Sequence, residues 1–244
     1  MKPPQIRKQV FSPIEHDVLE AFSTPFLKGR MRLNHDMVKS DIEKLHASIN
    51  QEDDNERNYT SYFYEELRQE LSRCSWYEDF ANQCIDTYIH FIASFYGTDP
   101  RQLNRKDIHF FAWSNLYKGQ HYHEVHNHPD SKISGTYYVD VNQNTAPIRF
   151  ISPVSNIYSV AGDQSGFDHP QHRDIKCIGG SPLNISEMVF QPKVGDCYFW
   201  PSYLYHGVPH NGDQEQRISI SFNLDHNRPL SDTHHGSNMN YDFL

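Results

Sequence analysis

The first hundred residues repeat apolar positions with the period of an α-helix. Between Asp36 and Asn50, four apolar residues recur at spacings of three or four: Val38, Ile42, Leu45 and Ile49. This spacing places them on one face of a helix. Asn34 stands just before the segment and can cap its first turn. The pattern predicts an amphipathic helix that buries one face.

Two further helices are predicted before residue 100. The second carries Phe63, Leu67 and Leu71. The third opens at Ser75 with Glu78 three residues later, the pattern of a capping box, and ends before Gly97. Its apolar stripe consists of Phe80, Cys84, Tyr88, Phe91 and Phe95. We expect these stripes to pack on each other and on a sheet.

From about Asp107 the period changes to short runs of β-branched and aromatic residues, separated by Gly, Pro, Asn and Asp. The runs are Ile108 to Trp113, Ile133 to Val141, Ile148 to Ile151, Met188 to Phe190, Cys197 to Trp200 and Arg217 to Leu224. Such a succession predicts an antiparallel barrel or jelly roll. The chain divides into a mostly helical region (1–106), a β core (107–228) and a polar C-terminal tail (229–244).

One connection in the β core is much longer than the others. More than thirty residues, from Val154 to Glu187, join two predicted strands and contain many turn-forming residues. Long loops in compact domains often carry function. We favour substrate recognition for this loop, with a family-specific insertion as the alternative.

Composition narrows the classes of function. A length of 244 residues suits one catalytic domain with an appended helical part. The formal charge of −9 argues against direct binding to nucleic acid, which needs Lys and Arg to neutralise phosphates. No apolar stretch is long enough to span a bilayer and no signal core follows Met1, so we expect a cytoplasmic protein. The four cysteines lie far apart, and we expect them reduced and mostly buried.

Histidine is unusually abundant, with 16 in the chain. His126 and His128 stand two residues apart at the entrance to a strand-like segment. Because alternate residues of a strand point to the same side, both imidazoles could reach one metal ion. Neutral imidazole suits iron, zinc, copper and nickel alike, so the pair alone does not choose a metal. Surface histidines in a polar turn are the other interpretation.

Two downstream segments strengthen the metal hypothesis. His206 ends an aromatic strand and turn that begins at Gly195. Arg217 and Ser219 then alternate on one face of the next predicted strand. An arginine and a hydroxyl on one strand face can bind a carboxylate.

Taken together, these segments resemble the iron(II)/2-oxoglutarate-dependent oxygenases, in particular a bacterial and bacteriophage branch. The residues that carry the resemblance stand in order as His126-Asn127-His128-Pro129, Ser134-Gly135-Thr136-Tyr137-Tyr138, Trp200-Pro201-Ser202, His206-Gly207-Val208 and Arg217-Ile218-Ser219-Ile220-Ser221-Phe222-Asn223. The resemblance covers roughly Trp113 to Leu224. It implies an α+β fold: a double-stranded β-helix, the cupin-like jelly roll, with the N-terminal helical region packed on it.

The resemblance also implies a set of site residues. Iron(II) would be held by His126, His128 and His206. The co-substrate 2-oxoglutarate would be bound by Arg217 and Ser219, with Tyr138 and Tyr117 completing its pocket or serving as core aromatics. The implied activity is a dioxygenase: it oxidises an organic substrate with O2, in the manner of a hydroxylase, while 2-oxoglutarate is decarboxylated to succinate. The substrate is a small molecule or a peptide that the sequence does not identify, and a homo-oligomer stays open.

The sequence departs from the usual pattern at one metal ligand. Most members of the superfamily have His-x-Asp or His-x-Glu, and here His128 stands at the carboxylate position. His128 and Asp130 also fit His-x-Asp, which would leave His126 outside the ligand set. We favour the set of three histidines. His121, His123 and Glu124 flank the site, and we interpret them as solvated loop residues rather than as groups that tune the metal.

Two other classes remain open. A three-His, cupin-like metal-binding protein could act without 2-oxoglutarate, and it would not need Arg217. A barrel that has kept the fold without catalysis is the other class. Stoichiometric iron and succinate production separate these classes from the oxygenase.

Overall fold

A computed structural model describes residues 24–48, 59–119, 121–153, 187–211 and 215–226. The predicted polar tail (229–244) and all of the long loop except its last residue, Glu187, lie outside these ranges. Within them, no helix combines the length and the apolar character that crossing a membrane requires.

Among the described residues, three α-helices precede the barrel: α1 (His35–Ala47), α2 (Glu65–Ser72) and α3 (Tyr77–Tyr96). The predicted cap of α1 is confirmed, since the Asn34 side chain accepts a hydrogen bond from the Met37 amide. Gly97 ends α3 with a φ of 67°, a left-handed conformation that glycine adopts without a steric penalty. Short 3-10 turns lie at Ser61–Phe63, Pro100–Gln102 and Arg105–Asp107.

Two details of the helix prediction are wrong. Phe63 ends a 3-10 turn and lies before α2 rather than within it. Ser75 does not cap α3, which begins at Tyr77 with Trp76 at the N-cap and no side-chain hydrogen bond there. The reason is local, because the preceding turn feeds directly into the helix: the Tyr77 amide donates to the Cys74 carbonyl at 3.0 Å.

In the part of the chain that the structure describes, nine strands form the β core and its edge. They are β1 (Leu27–Arg30), β2 (Ile108–Tyr117), β3 (His123–His126), β4 (Ile133–Asp140), β5 (Ile148–Ile151), β6 (Glu187–Phe190), β7 (Asp196–Pro201), β8 (His206–Val208) and β9 (Arg217–His226). The larger sheet has the order β1-β7-β4-β9-β2 and the smaller one the order β3-β8-β5-β6. All pairings are antiparallel.

The chain passes back and forth between these two sheets, which is the topology of a double-stranded β-helix. The predicted α+β jelly roll with N-terminal helices is therefore confirmed. The region predicted as mostly helical also supplies β1, which extends the larger sheet by pairing with β7.

The main hydrophobic core lies between the helices and the outer face of the larger sheet. Ile220, Phe222 and Leu224 of β9 are fully buried there, with Phe80 of α3. Gly135 of β4 allows this packing, because a Cβ at that position would lie 2.3 Å from the Phe222 ring. The helices thus cover one face of the sheet and leave the other face for the barrel interior.

Candidate metal centre and co-substrate pocket

Three histidines converge at one end of the barrel interior. His126 and His206 are register partners across β3 and β8, and their ring centroids lie 4.4 Å apart. The His128 ring stacks on His206 at 5.1 Å. One ring nitrogen from each of the three lies within 4.8 Å of the others. Side chains opposite each other on antiparallel strands are close neighbours, so the β3–β8 pairing brings two of the three together.

The ring nitrogens that face each other are the Nε2 atoms. His126 donates from Nδ1 to the Glu124 carbonyl at 2.7 Å, and His206 donates from Nδ1 to the Leu204 carbonyl at 3.0 Å. The Nε2 atoms of His128 and His206 are 3.3 Å apart. Such outer hydrogen bonds fix ring orientation at metal sites that use histidine.

His128 reaches the cluster by another route than the one we predicted. β3 ends at His126, so the two histidines do not alternate on one strand. His128 lies in the connection to β4, where its amide donates to the Ser202 carbonyl at 2.9 Å. The turn after β7 therefore positions this ring. The prediction that His126 and His128 alternate along one strand is wrong, although their rings do lie close together.

Burial keeps the histidines neutral. Desolvation lowers the pKa of His206 to about 3 and brings the pKa of His128 well below its usual value. The pKa of His126 is lowered for the same reason. Because only a neutral imidazole offers a lone pair to a metal, these three side chains are chemically suited to hold a divalent ion.

Two residues near the cluster, Asp130 and His123, were given roles in the sequence-based predictions. Asp130, the alternative ligand, is exposed and is not part of the cluster. His123 is not a solvated loop residue: it begins β3 and stacks on His126 with centroids 4.1 Å apart. His123 also lines the cavity between the sheets, as do all three clustered histidines.

This cavity, about 420 Å³ with its opening to solvent included, joins the histidines to Arg217. Arg217 is 1% exposed, begins β9, and donates from Nη1 to Ser219 Oγ at 3.2 Å. Its guanidinium lies 5.0 Å from the Tyr117 ring centroid and 5.2 Å from that of Tyr138. The structure thus brings together all four residues predicted to bind 2-oxoglutarate.

The pocket around Arg217 has the donors that a buried carboxylate needs. Among the described residues, no carboxylate lies within ion-pair distance of Arg217, whose Nε has no hydrogen-bond partner. The buried Tyr138 hydroxyl is also unpartnered. Burial raises the pKa of Tyr138 far above its usual value, which keeps the phenol protonated as a donor. Buried charges and donors in proteins are normally paired, so these atoms fit an anionic ligand.

Two further polar side chains in the cavity were not predicted from the sequence. Asn115 Oδ1 and Trp200 Nε1 are both buried without a partner. Asn115 lies two residues before Tyr117 on the inward face of β2, and its amide nitrogen donates to Ser221 Oγ at 3.0 Å. The alternation of β2 around Tyr117 was the signal that could have identified Asn115.

Comparison with known proteins shows which family this core resembles. Residues 111–223 match the model of the family described as "Putative 2OG-Fe(II) oxygenase". No curated protein matches the sequence.

Solved structures share the fold at low sequence identity. A prolyl-4-hydroxylase from Pseudomonas putida is 10% identical, with a TM-score of 0.50 over 84% of this chain and 95% of that one. AviO1 from Streptomyces viridochromogenes Tue57 is 10% identical, with a TM-score of 0.52 over 85% and 93% of the two chains. EvdMO1 is 14% identical, with a TM-score of 0.51 over 84% and 48%. Residues 111–223 of this chain are therefore similar to the 2OG-Fe(II) oxygenase family, on a fold that the solved structures share.

Proposed function

We propose that this protein is a hydroxylase-type oxygenase that uses iron(II) and 2-oxoglutarate. In the overall reaction a substrate C–H group, O2 and 2-oxoglutarate give the hydroxylated product, succinate and CO2. One oxygen atom of O2 enters the product and the other enters succinate. The substrate is an organic small molecule or a peptide.

The observation that carries the proposal is one cavity with two complementary ends. Three neutral imidazoles form one end, and a buried arginine with no acidic partner among the described residues forms the other. A barrel that only needed to fold would gain nothing from a buried guanidinium, because desolvating an unpaired charge is costly. A dianionic co-substrate compensates for that cost.

Each residue has a definite task in this proposal. His126, His128 and His206 hold iron(II), which supplies the activation of O2 when it is bound. Arg217 binds the distal carboxylate of 2-oxoglutarate as a planar fork of donors, and Ser219 holds one arm of that fork. The Tyr138 hydroxyl donates a hydrogen bond to the same carboxylate. Tyr117 lies against the guanidinium and excludes water from it.

A succinate assay tests the proposal. Purified protein with iron(II), ascorbate and 2-oxoglutarate should release succinate slowly even without the substrate. We expect His206→Ala and Arg217→Ala to lower this rate at least about tenfold. Asn34→Leu is the matched control, since it removes the cap of α1 at a residue that does not line the cavity, and it should leave the rate unchanged.

The outcomes separate the candidate functions. If wild-type protein retains no iron and releases no succinate, the oxygenase proposal fails for this chain. Iron binding that depends on the histidines, with no response to 2-oxoglutarate or to Arg217→Ala, would instead favour the three-His protein that acts without this co-substrate.

A further inference from the structure

The three clustered histidines differ in what holds their Nδ1 atoms. Backbone carbonyls, which only accept hydrogen bonds, face Nδ1 of His126 and of His206. Both rings therefore carry their proton on Nδ1 and keep a lone pair on Nε2. His128 is the exception, because its Nδ1 lies 3.2 Å from Nδ2 of the Asn223 side-chain amide.

This contact sets the tautomer of His128 in the arrangement described here. The Asn223 Nδ2 group donates, so His128 Nδ1 accepts and the ring proton sits on Nε2. That Nε2–H in turn donates to the lone pair on His206 Nε2, 3.3 Å away. His128 thus offers no lone pair to a metal in this tautomer, whereas its two neighbours do.

Rotating the Asn223 side-chain amide by half a turn would exchange the positions of Oδ1 and Nδ2 and select the other tautomer of His128. Oδ1 would then face His128 and accept from Nδ1–H, which leaves the lone pair on Nε2. The ring loses a proton at Nε2 and gains one at Nδ1, so its charge does not change. The rotation is feasible only if the group behind Asn223 can change from donor to acceptor.

A chain of serine hydroxyls provides that group. Ser134 Oγ donates to Asn223 Oδ1 at 2.8 Å and lies 2.8 Å from Ser202 Oγ. Ser131 donates to Ser202 Oγ at 2.7 Å. Every hydroxyl can both donate and accept. The donors and acceptors in this row of hydrogen bonds can therefore be exchanged by rotating the hydroxyl protons, with no heavy atom moving except those of the Asn223 amide. Ser134 and Ser202 are each 1% exposed, which leaves little water to substitute for them.

We propose that Asn223 is a positioning residue that selects the metal-binding tautomer of His128 through the hydroxyl chain of Ser134, Ser202 and Ser131. The inference rests on the proposed metal site. The three-His cluster then binds a metal only when His128 carries its proton on Nδ1. A carboxylate in place of His128 would have no such requirement, because a carboxylate has no tautomers.

Two variants at one position test this role. Asn223→Asp can only accept from His128 when ionised, so it should fix the proton on Nδ1. Asn223→Leu removes the amide, so that neither a donor nor an acceptor faces His128 Nδ1. In protein stripped of metal, ¹⁵N spectra of the imidazoles, assigned with His128→Gln, should show His128 protonated on Nε2 in the wild type and on Nδ1 in Asn223→Asp. Mn(II) serves as a redox-stable probe of affinity by calorimetric titration.

We expect Asn223→Asp to bind Mn(II) more tightly than wild type, and Asn223→Leu to bind it about 10- to 100-fold more weakly. Asn34→Leu, the matched Asn-to-Leu control outside the barrel, should melt earlier but keep the wild-type Kd. An unchanged His128 tautomer in Asn223→Asp, or a wild-type Kd in folded Asn223→Leu, would overturn the inference. If wild type binds no Mn(II), the proposed metal site fails, and the ¹⁵N spectra still decide whether Asn223 sets the tautomer.

Discussion

The two faces of the larger sheet are built from the same strands and have opposite characters. On the outer face, β4 and β9 present residues that pack under the helices: Ile133, Tyr137, Val139, Ile218, Ile220, Phe222 and Leu224. On the inner face, the alternate residues are polar or charged: Ser134, Thr136, Tyr138, Arg217, Ser219, Ser221 and Asn223. Strand alternation alone produces this division.

The difference shows where stability and chemistry reside. The larger of the two hydrophobic clusters lies on the outer face, where apolar burial contributes to the free energy of folding. On the inner face, Arg217 and Tyr138 each keep a buried polar atom with no hydrogen-bond partner in the described ranges, which costs free energy until a ligand binds. Substitutions on the two faces should therefore affect stability and ligand binding separately.

The largest stability effect is expected on the outer face, for Phe222→Ala. Phe222 is fully buried and its ring lies 5.0 Å from that of Phe199 and 5.8 Å from that of Phe80. Its truncation should lower the free energy of unfolding by about 3–5 kcal/mol, measured by urea denaturation. Ser221→Ala, next in sequence but on the inner face, is the control and should cost about 1 kcal/mol. Similar losses for the two variants would contradict the division between the faces.

Acid should destabilise the protein through the inner histidines. The pKa of His206 is about 3 in the folded protein, whereas its ordinary value, which applies to the unfolded chain, is 6.5. Between these values the unfolded chain binds a proton that the folded one does not, so stability falls as pH decreases through this window. From pH 6.5 to pH 5, His206 alone should cost about 2 kcal/mol in metal-stripped protein. His206→Gln should melt with a weaker dependence on pH, and an unchanged dependence would argue against buried neutral histidines.

Arg217→Met is expected to separate stability from binding. Replacing a buried charge without an acidic partner by an apolar side chain of similar length should raise the free energy of unfolding by about 1–2 kcal/mol. The same change should abolish the increase in melting temperature that 2-oxoglutarate gives the wild type. Thermal melting with and without 2-oxoglutarate measures both effects, and a destabilised variant that still responds to the co-substrate would refute the assignment.

The smallest effect is expected for Tyr138→Phe. The lost hydroxyl has no hydrogen-bond partner among the described residues, so stability should change by less than about 1 kcal/mol. The Kd for 2-oxoglutarate should rise about 10- to 100-fold, because one hydrogen bond to a charged group is lost. Isothermal titration of metal-loaded protein checks this, and an unchanged Kd would mean that the phenol does not contact the co-substrate.

The sequence predicted the parts of the fold that rest on long, regular patterns. β2, β4 and β9 have eight to ten residues each, and their alternation placed Arg217 and Ser219 on one face correctly. β1, β3 and β8 have only three or four residues and contain too few positions to show a period. Their existence depends on pairing with strands far away in sequence.

The same limit applies to the site. His126 and His206 could be proposed together only from the resemblance, because their contact arises from the β3–β8 register. Asn223 was visible within a motif, but its partner His128 lies 95 positions earlier in the chain. The roles of Asn115 and Trp200 depend on buried atoms that lack partners, and this property appears only once the barrel is closed.

An anaerobic titration of 2-oxoglutarate into iron(II)-loaded protein, followed by visible absorbance, directly tests whether the three histidines hold the metal and Arg217 holds the co-substrate. Chelation of iron(II) by the keto acid produces a charge-transfer band. We expect a saturable band for wild type, no band for His206→Ala, and a band for Arg217→Met only at much higher co-substrate concentration. A wild-type protein that gives no band would refute the proposed metal centre, and an Arg217→Met variant that saturates like wild type would refute the role of Arg217.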